Sequence, residues 1–419
     1  MFDIKFEAQD YLPENISHQI EFRNNAWQFF EKNAFPKKSE VWKYTDLSKF
    51  IPSSQSLLKV EGKPDFERDK IEKLKDSHRI SLIFYDGKLD EFASDIDALF
   101  DEGGYIKRIA SVKSEVDYTK DDFMKALNDA AHTDGLHIAI GANLQVSQEV
   151  EFIYIASDVT AGKVHNYKNI FEVEAYAELK IIEKFAVFGD VDSAQTFNIQ
   201  SECQLHEGAK LSSDVVLNHC AEPFSVIHSF KANQKKHSQL SYTNLALKND
   251  LNRFDVNIFL NEEGAEASVN GATIASENAH TDHHIYVEHN ASHTTSNVKY
   301  RMVASDKASA TFNAKAVANK TVKGIKAFQN NKNLLLSNTA EINTKPELEI
   351  YADDVVCSHG ATVGQLDSTA VYYIMTRGIP ESEAKKMLTE SFVVDALSDD
   401  NPNKPAYHTD IAHKLDQVL

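Results

Sequence analysis

The sequence predicts a mainly β protein: a β-solenoid core set between an N-terminal helical and mixed region and a C-terminal helical region. Three observations carry this. From about His137 to Val356, short β-branched and aromatic runs alternate with polar turns, and long amphipathic helical signals are missing. Turns of one kind recur, with a small residue, then a polar one, then an apolar one that re-enters a strand. After Gly364 the helical period returns.

In chain order, His18 to Asn33 reads as a helix, with Ile20, Phe22, Trp27, Phe29 and Phe30 as apolar positions and Ala34-Phe35-Pro36 closing it. Ser39 to Asp46 follows as a short exposed-looking segment carrying Trp42 and Tyr44. Residues 50 to 135 are mixed and charged. Within them Ile80-Ser-Leu-Ile-Phe-Tyr85 before Asp86-Gly87 is a strand and turn signal, and Asp121 to Ala131 a short helix. The recurring turns are Tyr176-Ala-Glu-Leu179, Gly208-Ala-Lys-Leu211, His237-Ser-Gln-Leu240, Gly264-Ala-Glu-Ala267, Lys307-Ala-Ser-Ala310 and Thr339-Ala-Glu-Ile342. Their spacings are roughly 30 residues, with one near 43, a period typical of arrays. Ala265 to Asn270 and Phe171 to Tyr176 alternate apolar and polar residues, as half-buried strands do. A single coil cannot bury its own apolar face, whereas stacked coils share one elongated core. A sandwich is the alternative, because one sequence does not show which strands are neighbours. Leu366 to Met375 then forms a helix broken at Arg377-Gly378-Ile379. Pro380-Glu-Ser-Glu opens a second, with acids in its first turn and Ala384, Met387, Leu388, Phe392 and Leu397 on its apolar face. The boundaries fall at 1–135, 136–364 and 365–419.

Composition narrows the function. The 419 residues are 42% hydrophobic and 26% charged, enough for a sizeable core. The net charge of −19 argues against a nucleic-acid-binding surface and against an anionic membrane. No apolar run approaches the length of a membrane span, and the N-terminus lacks the pattern of a secretory signal. Three widely spaced cysteines, Cys203, Cys220 and Cys357, fit a reducing, cytoplasmic setting. They are too few for a four-thiolate iron–sulfur or zinc site, so any cluster held here needs ligands from another subunit. No G-x-G-x-x-G, G-x-x-x-x-G-K-S/T, G-x-S-x-G or H-E-x-x-H motif occurs, so nucleotide hydrolysis is not expected of this chain.

The most informative stretch is Tyr351-Ala-Asp-Asp-Val-Val-Cys-Ser-His-Gly-Ala-Thr-Val-Gly-Gln-Leu-Asp367. Cys357 and His359 stand two residues apart, so an extended backbone turns both to one face, where they can act on one soft metal or sulfur species. The simpler reading is a buried thiol and a hydrogen-bonded imidazole at a sheet end. His280, His283, His284, His289 and His293 form a second candidate, a zinc- or iron-dependent enzyme site, against polar side chains satisfying one another along a coil. Lysines 315, 320, 323, 326 and 332 read as a solvated strand edge rather than a phosphate site. The amides of Phe328-Gln-Asn-Asn-Lys-Asn-Leu-Leu-Leu-Ser337 read as a ladder, and Cys203 and Cys220 as inert buried thiols.

Several blocks closely resemble the SufB/SufD family: Glu40-Val-Trp-Lys-Tyr-Thr45, Phe328 to Ser337, Thr344-Lys-Pro-Glu-Leu-Glu-Ile350, Ala352 to Asp367 and Arg377-Gly-Ile379. The resemblance covers nearly the whole chain in order. It implies a right-handed parallel β-helix and a non-ATPase scaffold subunit, not an enzyme, of the SUF iron–sulfur cluster assembly complex. It also implies a SufB-type paralogue paired through the β-helix, or a homodimer when the chain is alone, and a SufC-type ATPase docked on the C-terminal helices. Carried over by position, His359 helps hold a nascent, transient iron–sulfur cluster at the subunit interface. Cys357 is its neighbouring family cysteine. The docking segment spans Asp367 to Leu397 and includes Tyr373, Arg377, Gly378, Met387, Leu388 and Phe392. A pure adaptor without metal ligands is the other role open to such a chain.

Overall fold

The computed structural model describes residues 7–8, 17–34, 39–47, 56–57, 59, 68–109, 118–189, 195–218, 224–247 and 251–419. Cys220 and the Phe35-Pro36 helix stop lie outside them. The fold is a parallel β-solenoid with helices towards both termini, and the chain divides into two compact units.

In the first unit, Phe224–Gln234, Gln195–Leu205, Lys163–Val173 and Leu136–Ile140 pair in parallel in that order. A second sheet runs Glu178–Phe188, Val150–Ser157, Ile80–Tyr85. Ile80–Tyr85 turns back through Asp86 (φ 45°) and Gly87 (φ 87°) into Lys88–Leu89. Both residues adopt the left-handed region that a tight hairpin demands. Inward-facing aromatics fill the interior. Tyr154 lies 5.3 Å from both Phe84 and Phe185, and Phe152 packs edge-on against Phe171 at 5.5 Å, the offset and T-shaped contacts that ring quadrupoles favour. Cys203 is buried, and burial pushes its thiol well up.

The helices of this unit are fixed by buried cations. In the helix Ser17–Asn33, Arg23 is buried and donates to the carbonyls of Ala130 and His132, each at 2.9 Å. These lie at the end of the helix Phe123–Ala131, where orphan carbonyls and the macrodipole favour a cation. Trp42 was expected to be exposed; it is buried. Its Nε1 donates to the Asp121 carbonyl at 3.1 Å, and the Arg253 guanidinium lies 3.6 Å from its ring centroid. Arg253 also donates to the Val41 carbonyl and to Asp255. The Glu40–Thr45 block is thus a structural clasp, and only Tyr44 of its two aromatics stays exposed.

In the second unit, Glu341–Ile350, Ser309–Ala318 and His280–His289 form one parallel sheet. Val355–Gly364, Ile325–Leu335, Thr295–Ala304, Glu266–Ala275 and Gln239–Ala246 form the other. Three helices close the chain: Ser368–Met375, Glu381–Val394 and Lys404–Val418. Asp367 caps the first, accepting from the Thr369 amide at 2.8 Å.

The turns explain the spacing near 43. One series of corners is left-handed at Tyr176, Gly208, His237, Gly264, His293 and Gly324, and a different corner at Glu277 and Asp306. Lys307-Ala-Ser-Ala310 follows Asp306, so it belongs to the second series, as does the turn before Glu341. The true successor of Gly264 is His293, whose neighbours Thr294 and Thr295 carry no small-residue signal. Rings and glycines alternate along the first series. A Cβ on Gly264 would lie 2.1 Å from His237 Nδ1, and one on Gly324 2.5 Å from His293 Nδ1. We expect Gly264→Ala to cost about 1–2 kcal/mol, chiefly for the φ of a non-glycine residue. Urea denaturation checks it, and a midpoint equal to wild type would refute the assignment of that corner.

Candidate functional site

Parallel pairing fixes which side chains of the last two strands face inward. Ala327, Gln329, Asn331 and Asn333 are all buried. Their partners in register are Cys357, His359, Ala361 and Val363, which therefore share that inward face. In the other sheet, buried Ala310, Phe312, Ala314, Ala316 and Ala318 pair with Ile342, Thr344, Pro346, Leu348 and Ile350, all only half-buried. Both strands are the last of their sheets. The core of this unit therefore ends on a surface of apolar groups, one thiol and one imidazole.

Cys357 packs half-buried on the terminal cluster of Ala316, Ala318, Ile325, Ala327 and Leu348, and His359 is exposed. Burial pushes the Cys357 thiol above its ordinary value, against a backbone hydrogen bond at Ala327 that lowers it. The free chain thus holds the protonated thiol at neutral pH, and a metal ion would have to displace that proton to gain the thiolate. Beneath the strand the amides reach forward. Asn333 Nδ2 donates to the Thr362 carbonyl at 2.9 Å and to Asn331 Oδ1 at 2.6 Å. Thr344 Oγ1 donates to Asn331 Oδ1 at 2.8 Å, and Gln329 Nε2 to the Glu347 carbonyl at 3.3 Å. The amide block of the sequence thus ties both terminal strands to the coil below. Sequence reasoning missed Thr344, Pro346 and Leu348 as members of this surface, since only register places them there.

The C-terminal helices show a second exposed surface. Tyr372, Tyr373, Met375 and Met387 are exposed, and the Arg377 guanidinium lies 3.9 Å from the Tyr373 ring centroid. Gly378 has φ 86° and open space around it. The buried side of Glu381–Val394 is Ala384, Thr389 and Val393, so Met387 lies off it, while Leu388 and Phe392 are half-buried. Asp395 ends this helix on Lys299 and Arg301, with Arg301 at 2.6 and 2.9 Å.

The histidines of 280–293 do not converge. His283 and His289 point inward and are buried, whereas His280 and His284 lie on the opposite face of the strand. His283 Nε2 lies 2.9 Å from Thr273 Oγ1, and His289 lies 2.8 and 2.9 Å from the hydroxyls of Thr294 and Ser296. Burial drives His283 down to about 3 and His289 to about 4. The folded rings stay neutral while unfolded ones protonate below about 6.5, so this stability is present above that pH and lost as pH falls towards 4. We expect each ring to cost about 2 kcal/mol between pH 7 and pH 5. Urea denaturation at both pH values checks this: His289→Gln should remove about that much of the acid loss, and an unchanged pH dependence would count against it. Lys320, Lys323, Lys326 and Lys332 are exposed, and Lys315 pairs with Glu349 at 2.5 Å.

Fold and site together define a solenoid protein that presents a thiol and an imidazole on the uncovered end of its core, rather than in a closed pocket. Residues 154–392 match the SUF system FeS cluster assembly, SufBD core domain, and the chain belongs to this family. It is 29% identical to the iron-sulfur cluster assembly protein SufD of Escherichia coli over 87% of this chain and 85% of that one. It is 26% identical to a SufBD family protein of Synechocystis over 86% and 83%, and 23% identical to SufD of Bacillus subtilis over 66% and 62%. No helix among the described residues is long and apolar enough to cross a membrane.

Proposed function

We propose that this chain is a non-ATPase scaffold subunit of a SUF-type assembly complex. It presents His359, with Cys357 beside it, to complete a nascent iron–sulfur cluster whose remaining ligands come from a SufB-type paralogue. The observation that carries this is the register of the last strand: both side chains share the inward face, and the apolar strands around them end uncovered. A second solenoid meeting that end would bury the apolar rim and bring its own ligands opposite. The cluster is cargo, held while it forms. The imidazole offers a ring nitrogen as a ligand, and the thiol needs the metal's charge to ionise.

The exposed Tyr372, Tyr373, Met375 and Met387, with Arg377 and Gly378 at the helix break, are the surface we assign to a SufC-type ATPase. Leu388 and Phe392, half-buried on the second helix, are assigned to the same surface. The sequence carries no phosphate-cradling loop, so in this reading hydrolysis belongs to that partner. The test is anaerobic cluster reconstitution on the three-protein complex, wild type against His359→Ala, with its outcomes argued in the Discussion.

A further inference from the structure

One group of chemistry-bearing side chains is used neither by the end surface nor by the helices. Among the described residues, Glu172, Glu174 and His206 are the one set of three metal-capable side chains whose ligand atoms all lie within 4.8 Å of one another. They belong to the first unit, whereas Cys357 and His359 belong to the second. Glu172 lies on the strand Lys163–Val173 and Glu174 just after it, two residues apart and so on one face. His206 follows the neighbouring strand Gln195–Leu205, its amide bonded to the Val173 carbonyl at 2.9 Å. His137 stands on the strand at the other side, Leu136–Ile140, where Ala139 pairs with Glu172. Three adjacent coils therefore bring two imidazoles and two carboxylates to one outward face.

The distances have a particular character. His206 Nε2 is 3.5 Å from Glu172 Oε1, His206 Nδ1 is 3.6 Å from Glu174 Oε2, and His137 Nε2 is 3.3 Å from Glu172 Oε2. His137 Nε2 is buried and makes no hydrogen bond. A charge-assisted bond between such groups closes to about 2.7–2.9 Å. Ligands about 2.0–2.1 Å from a tetrahedral ion stand about 3.3 Å from one another. These contacts are longer than charge-assisted bonds, and one donor atom from each of Glu172, Glu174 and His206 lies within 4.8 Å of the other two, so small rotations bring all three onto one ion. Lys107, opposite His137 in register, directs its ammonium over the Tyr105 ring, 4.9 Å from its centroid.

We propose that Glu172, Glu174 and His206 bind one divalent transition-metal ion on the outer face of the solenoid, with water completing its coordination. Mixed imidazole and carboxylate donors suit Zn²⁺ or Fe²⁺, and the missing thiolate disfavours softer ions. The site needs neither a partner subunit nor the Cys357–His359 pair.

The test uses the full chain, stripped of metal with a chelator and titrated anaerobically with Co²⁺ as a spectroscopic probe, then with Zn²⁺ in competition. One Co²⁺ per chain, with visible absorption of a four-coordinate nitrogen–oxygen site displaced by Zn²⁺, is expected. Glu172→Gln and His206→Gln, which keep side-chain shape on a half-buried face, should each weaken binding at least tenfold. A Cys357→Ala/His359→Ala double variant should bind as wild type. No bound Co²⁺, binding unchanged in both Gln variants, or binding lost only with Cys357 and His359 would each overturn the proposal. Because that double variant is read separately, failure here is distinct from failure of the scaffold reading.

Discussion

His359→Ala is expected to leave the three-protein complex assembled but to strip it of most of its reconstituted cluster. The imidazole projects from the last strand onto an open face, is not buried, and is paired in register with Gln329. Its loss leaves no cavity, and stability should change by less than about 0.5 kcal/mol, as at other surface positions. Loss of one ligand from a shared site is a far larger effect. Changes even to groups that merely orient ligands lower metal affinity about 10–100-fold, so at least a tenfold fall in bound iron is expected. Visible absorption and iron content after anaerobic reconstitution measure it, with size exclusion reporting assembly. Cys357→Ser should cost less, because the thiol is half-buried on the Ala316–Ala327 cluster and held protonated. A complex of His359→Ala with wild-type iron would assign the chain to the adaptor role. A complex that falls apart would instead make His359 part of the pairing surface.

Much of this was legible from the order of residues alone, for reasons that can be named. Cys357 and His359 share a face because a strand has a period of two, a local property. That the face is uncovered depends on where the solenoid stops, and no local pattern encodes it. Ile342, Leu348 and Ile350 read like core residues, yet they are half-buried because no later coil lies over them. The turns show the same limit. An Ala or Ser just after the corner marked four of them, but at His293 the left-handed position is held by a histidine over Gly324 and followed by Thr294 and Thr295. The next Ala in the pattern, Ala308, belongs instead to the corner at Asp306.

The metal-capable group at Glu172, Glu174 and His206 was invisible for a third reason. Glu-x-Glu is an ordinary outward alternation, and a histidine some thirty residues later becomes its neighbour only through one coil of register. Trp42 was misread for a similar cause: its partner, Arg253, is remote in sequence. A buried guanidinium needs acceptors and an aromatic face, and Val41, Asp255 and Trp42 together supply them. Conversely, the histidines of 280–293 look like a metal site because they are dense in sequence. Alternation sends them to opposite faces, and the inward pair bonds hydroxyls of neighbouring coil residues.

Asp214→Ala should have the largest effect on the fold of the second unit, because this carboxylate anchors the C-terminal helix. Asp214 is buried. It accepts from Tyr407 Oη at 2.6 Å, from Asn401 Nδ2 at 3.0 Å and from Asn403 Nδ2 at 3.2 Å. Removing it takes a shared acceptor from three donors at once, although Asn401 Nδ2 keeps Thr243 Oγ1 at 3.1 Å, and we expect about 3–5 kcal/mol, the range for breaking a buried charged network. The helix Lys404–Val418 also buries Tyr407, Ile411 and Leu415 along one stripe, accepts at Asp410 from Asn218 Nδ2 at 2.6 Å, and donates from Lys414 to Ser276 Oγ at 3.2 Å. It in turn holds Glu381–Val394 through Lys386–Asp416 and through His408–Glu390 at 2.6 Å. Loosening it should therefore expose the tail to limited proteolysis and weaken capture of a SufC-type ATPase, even though no residue of the docking surface has changed. Burial holds the Asp214 carboxyl above its ordinary value, against the hydrogen bonds of Tyr407 and the two asparagines, which lower it. A raised carboxyl stabilises the fold most below the unfolded value near 3.8, and that contribution is lost as pH rises through the folded one. The gap between wild type and Asp214→Ala should thus widen from neutral pH towards pH 4, the reverse of the trend for His283 and His289. Urea denaturation of both proteins across that interval decides it. A gap that narrows on acidification would mean that the ionised carboxylate, not the protonated one, is what the three donors hold.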